Sequence, residues 1–321
     1  MPLVLESGIK VLPAEILSQI FEAGHRMTRG WTFAKCVSQV CRWFRHVSLR
    51  TPLLWTRVAD VYSDSQAEEF VTRSAQKDLD VSLLGSDPGI SPVFQMYSNR
   101  WKLLQIRSGR AVESIRKIGP IHFPRLKTLY HDGKRPLDLS SWHLPELRRV
   151  VGSLSLGPAS FPNSSQLVTV GLSLTNSVRL TSLSQALHSM TALKNLTLTL
   201  SWCTEAWNPP TTQTHDRHSV HIESLEVSIL NQTKPGVVED IFDVLSYLSP
   251  STVTIKLMDF PEPHSCPEAF FCTLSEEMFP YGSTIKIYTR TVDFRKNFML
   301  LTNLVRGCNI AQRILIEAPT A

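Results

Sequence analysis

Short segments that alternate apolar and polar residues recur about thirty residues apart in the second half of the chain, a period that belongs to stacked structural repeats. They are centred near residues 197, 227, 255, 286 and 315, and include LKNLTLTL, VTIKL, STIKIYT and RILIE. Strict alternation is the pattern of a half-buried strand. Helical spacing precedes four of them: Leu183, Ala186, Leu187 and Met190; Val238, Ile241, Phe242, Leu245 and Leu248; Phe270, Phe271, Leu274 and Met278; and Phe298, Leu301, Leu304 and Val305. The same change occurs earlier, where Ala67, Phe70, Val71 and Ser74 lead into Leu79, Val81 and Leu83. Strands joined through a helix run parallel, and units stacked in one direction form a solenoid. Between these regions PRLKTL, PELRRV and SQLVTVGLSL repeat an L-x-x-L-like pattern at a shorter spacing, with little room for full helices. The expected fold is therefore α/β, an irregular solenoid with a parallel sheet over residues 61–321. A doubly wound α/β sheet is the competing architecture, but no Gly-rich phosphate loop follows the first strand.

A chain of 321 residues can bury a large core. Hydrophobic residues at 42% and charged residues at 19% are those of an ordinary ordered protein. The net charge of +5 forms no dense Lys/Arg block, so the phosphate-neutralising face that nucleic-acid binding requires is missing. Glu6, Lys10 and Glu15 interrupt the early apolar residues, which argues against a signal peptide or membrane span and for an intracellular protein. The six cysteines show no CxxC spacing, which fits reduced thiols better than disulfides or a zinc site.

The first sixty residues read differently. In VLPAEILSQIFE, Pro13 suits a first helical turn and Glu15 the positive end of the helix. Leu12, Ile16, Leu17, Ile20 and Phe21 recur at spacings of three and four and form one apolar stripe. Gly24 and Gly30 bracket a polar turn, after which Phe33, Val37, Val40, Cys41, Phe44 and Val47 predict a second amphipathic helix. Pro52 ends it, and Leu54 and Trp55 fold back on it. So short a helical module cannot bury all this apolar surface by itself, so the stripe meets either a partner or the rest of the chain.

Leu12-Pro13, Glu15-Ile16-Leu17, Ile20-Phe21, Val40-Cys41-Arg42 and Pro52 with Leu54-Trp55 resemble the F-box motif in order and spacing. The resemblance implies an N-terminal three-helix F-box-like module, residues 1–60, that binds a Skp-type adaptor and through it a cullin scaffold carrying the ubiquitin-conjugating machinery. Leu12, Pro13, Ile16, Leu17, Ile20, Val40 and Cys41 would then lie at or just beneath the adaptor surface. Phe44 stands where the family usually has tryptophan, with Trp43 immediately before it, and the stretch from His25 to Lys35 is longer and more basic than usual. The remainder, with SNRWKLLQI following LDVSLL, resembles the leucine-rich-repeat-like region of fungal F-box proteins. It would hold an unidentified protein substrate without catalysis or cofactor.

No G-x-S-x-G, P-loop, dinucleotide or H-E-x-x-H pattern is present, although active-site residues can also be dispersed. His215, Asp216, His218 and His221 are close in sequence, but they follow Pro209-Pro210 and enter a strand, as a polar surface loop does. Pro261, Glu262, Pro263, His264 and Cys266 read as an exposed turn. The loop SWCTEAWNPPTTQTHDRH interrupts the repeat with Trp202 and Trp207, a residue type enriched where proteins bind, so these two form a candidate partner-binding loop. Two functions remain open: a substrate-recruiting subunit of a cullin-type ubiquitin ligase, and a repeat-type scaffold whose N-terminal helices only cap the solenoid.

Overall fold

The computed structural model describes residues 12–28, 30, 32–85, 92–117, 121–133, 135–157, 161, 163–207, 218–230, 232–258, 284–289 and 313–317. The fold is mixed α/β with an extensive parallel sheet. The chain divides into two compact units, one formed by Met1–Lys134 with Ser141–Leu147 and the other by Arg135–Ser140 with Arg148–Ala321.

Among the described residues, the first unit begins with three helices, α1 Ala14–Met27, α2 Phe33–Ser38 and α3 Arg42–Leu49, followed by a 3-10 turn at Pro52–Trp55. Then come β1 Arg57–Ala59, α4 Asp64–Arg73, β2 Leu79–Leu83, α5 Pro92–Met96, β3 Trp101–Ile106, α6 Gly109–Lys117, β4 Ile121–His122, β5 Thr128–His131 and β6 Trp142–His143. Strands β1, β2, β3 and β5 pair in parallel, which sets Val58, Val81, Leu104 and Leu129 in one fully buried row. Trp55 joins the helices to this sheet. It meets Phe70 of α4 edge-on at 4.9 Å, its ring lies 4.5 Å from the Arg73 guanidinium, and its indole N–H donates to the Ser48 carbonyl at 2.8 Å. By its contacts the helical segment therefore belongs with the first strands, and the division falls well downstream of residue 60.

The second unit contains β7 Arg149–Gly152, β8 Thr169–Arg179, α7 Leu180–His188, β9 Asn195–Trp207, β10 Val220–Leu230, α8 Pro235–Leu245, β11 Leu248–Met258, β12 Thr284–Thr289 and β13 Arg313–Glu317. The seven strands lie in sequence order and pair in parallel. Their register aligns Val150, Val170, Leu196, Leu225, Val253 and Ile285 in one buried row and Leu172, Leu198, Val227, Ile255 and Ile287 in the next. Thr197, Thr199, Glu226, Thr254 and Lys256 alternate with them and stay half-exposed. A parallel sheet covered on both faces is apolar on both. Here the described residues of one face are mostly polar and half-exposed, and Lys256 pairs on it with Glu226 at 2.6 Å. The stacked rings of His188 from α7 and Tyr247 just after α8, 4.3 Å apart, tie those two helices together.

The strands expected near residues 197, 227, 255, 286 and 315 are present, as are helices before β2, β9 and β11. The helical spacings over 270–278 and 298–305 and the cluster from Pro261 to Cys266 lie outside the described residues. Three local expectations change. The first helix runs on through Gly24, where a side chain would begin 2.6 Å from the Phe33 ring, so glycine here permits close packing where a turn was expected. The single helix expected from Phe33 to Val47 is two, because Cys41 takes extended backbone and its sulfur accepts the Phe44 N–H at 3.4 Å, capping a new helix. And residues 201–207, expected to be loop, continue β9.

Candidate docking surfaces

Helix α1 carries two apolar stripes side by side. The inner one, Leu17, Phe21 and His25, is buried. Phe21 meets Phe44 of α3 edge-on at 5.0 Å, Ser18 and Thr51 hydroxyls lie 2.9 Å apart, and Arg57 donates to the Thr28 carbonyl at 2.5 Å, fastening the helix at several points. The outer stripe is Ile16, Ile20, Ala23 and Met27, spaced four, three and four, and all are exposed; Ile20 is 51% and Met27 86% accessible. Residues at this spacing share one side of a helix. An exposed run of this kind marks a surface built to be covered.

His25 closes the inner stripe. Burial, with Arg57 and Arg26 nearby, pushes its imidazole down to about 4 from the usual 6.5. Its Nε2 lies 3.4 Å from the Thr56 hydroxyl, while Nδ1 has no hydrogen-bond partner. The ring is thus a neutral packing element against Phe33.

The residues that the resemblance placed near an adaptor differ in exposure. Pro13, Ile16, Ile20, Val40 and Cys41 are exposed, Leu12 is half-buried, and Leu17 is sealed at 2%. Ala23 and Met27 were missed, although they continue the same spacing on either side of Gly24.

Trp202 and Trp207 both lie on β9 and are both exposed, at 47% and 55%. The pairing of β8 with β9 slips here: Thr175 faces Ser201 but Ser177 faces Glu205. The slip is made by left-handed backbone at Asn176 and Trp202, with φ of 62° and 59°. A left-handed conformation is unusual for a residue as bulky as tryptophan. Cys203 then turns inward, fully buried, and its thiol donates to the Leu174 carbonyl at 3.3 Å while its carbonyl accepts the Lys234 N–H at 2.9 Å. The inward cysteine fixes the bulge that turns Trp202 out. Trp207 lies on the resumed ladder, opposite Arg179.

His215 and Asp216 lie outside the described residues; His218 sits in the turn before β10 and His221 within that strand. Among the described residues no three His, Cys, Asp or Glu side chains converge as metal ligands would, and no helix is long and apolar enough to cross a membrane. No family model matches the sequence, and no curated protein matches it either.

Proposed function

We propose that the chain is a non-catalytic F-box-type adaptor, whose helical segment docks on a Skp-type adaptor of a cullin ubiquitin ligase and whose repeat-like parallel sheet holds a protein substrate. The observation that carries this reading is the outer stripe of α1. Ile16, Ile20, Ala23 and Met27 stay uncovered although the same helix buries a full inner stripe. A helix that merely capped a solenoid would need only the inner stripe. Burying each large apolar side chain contributes roughly 1.5 to 3 kcal/mol before association costs, about half that where a side chain is already half-covered, so the stripe supplies a specific but modest docking energy. The half-exposed, largely polar face of β7–β13 supports the second half of the reading, since its described side chains keep part of their surface available to a partner.

The test is a pulldown of the purified chain with a Skp-type adaptor, wild type beside an Ile16→Asp, Ile20→Asp variant. Neither position is buried, so the variant is expected to keep its circular dichroism spectrum and lose the adaptor. Wild type that fails to bind, or a folded variant that binds equally well, overturns the reading and leaves the scaffold alternative.

A further inference from the structure

A cavity of about 310 Å³ opens in the second unit at the carboxyl ends of β7 and β8, within the range of small-ligand pockets. The carboxyl ends of parallel strands are where open α/β sheets receive ligands. Six hydroxyl side chains line it: Ser153, Ser155, Ser173, Thr175, Ser177 and Ser182. Arg179 is the one charged residue in the lining among the described residues. A second hollow of about 420 Å³ shares Ser177, Arg179 and Ser182 with the first and ends against Trp207. Among the described residues, Arg179 is exposed and forms no ion pair.

We propose that this groove binds a small phosphomonoester, with Arg179 and the surrounding serine hydroxyls on the phosphate and the body of the ligand against Trp207. The chemistry of the lining selects this class. A phosphate presents only acceptors at neutral pH, and it matches a guanidinium fork surrounded by hydroxyls. A neutral polyol would call for carboxylate or amide acceptors, and the described lining has neither. Helix α7 starts directly after Arg179 with no side chain capping it, so its first turn adds potential of the same sign. Glu205, which faces Ser177 across the β8–β9 pair, is the nearest carboxylate by register and opposes an anion. The size of the cavity favours a free metabolite over a phosphorylated protein segment.

Calorimetric titration of the full chain tests this, with glycerol 3-phosphate and O-phosphoserine as probes, glycerol and serine as neutral counterparts, and a phosphoserine-bearing peptide for comparison. The phosphomonoesters are expected to bind and the neutral pair not. Arg179→Ala should weaken binding about tenfold or more, Arg179→Lys less, and Glu205→Gln should tighten it. Ile20→Asp should leave it unchanged, which separates this site from adaptor docking. All these positions are exposed, so circular dichroism is expected to report intact folds. Undetectable binding of either phosphomonoester, equal binding by Arg179→Ala, or binding of the phosphopeptide alone overturns the proposal.

Discussion

Leu17 and Ile20 sit one turn apart on the same helix, yet Leu17 is 2% accessible and Ile20 51%. Substitutions at the two positions should therefore have opposite signatures. Leu17→Ala removes a packed side chain and should lower the unfolding free energy by about 2 to 5 kcal/mol. Ile20→Ala should change it by less than about 0.5 kcal/mol. Urea denaturation of both variants checks this, and similar losses for the two would mean that the outer stripe is covered by the chain itself.

His25 makes stability depend on pH. Its folded value, about 4, lies below the unfolded 6.5, so between these values the unfolded chain takes up a proton that the folded chain refuses. Its contribution is fully present above about pH 6.5 and lost as pH falls toward 4. The full difference corresponds to about 3 kcal/mol. Denaturation midpoints measured from pH 7 to pH 4 should fall, and the fall should be shallower in His25→Gln; an unchanged slope would place the dependence on other groups.

The three described cysteines should differ in reactivity. Cys36 and Cys41 are exposed, whereas burial pushes the Cys203 thiol up to about 11. The thiolate is the reactive form. Iodoacetamide at neutral pH should label Cys36 and Cys41 in the folded protein and reach Cys203 only in denaturant, as peptide mass spectrometry will show. Rapid native labelling of Cys203 would mean that the bulge at Trp202 opens readily.

Gly171 of β8 faces Val151 of β7, and a methyl group on it would lie 2.9 Å from a Val151 methyl. Gly171→Ala should cost about 1 to 3 kcal/mol through overpacking. Combining it with Val151→Ala should recover part of that loss, a coupling that a double-mutant cycle measures directly. Additive losses would show that the crowding is relieved elsewhere.

The elements were legible wherever the signal was local. The alternation in LKNLTLTL and VTIKL announced β9 and β11 because side chains in a strand switch faces at every residue. The five spacings of three and four around Val238 to Leu248 likewise announced α8. The bulge at Trp202 gave no such sign, since nothing in SWCT asks for left-handed backbone. It exists because Cys203 finds the Leu174 carbonyl on one neighbouring strand and its own carbonyl meets Lys234 beyond the other. The cavity beside Arg179 was equally hidden, for it assembles residues from Pro136 to Ser182 that only strand register brings together.

By itself, the sequence determined period and therefore element type: parallel strands at regular intervals behind a short helical segment. It also placed the apolar stripe on the first helix. Only the tertiary structure decided which half of that stripe faces inward. Periodicity records which residues share a side of a helix, whereas burial depends on what the third helix and the Pro52–Trp55 turn cover, and those neighbours come from thirty residues further along the chain.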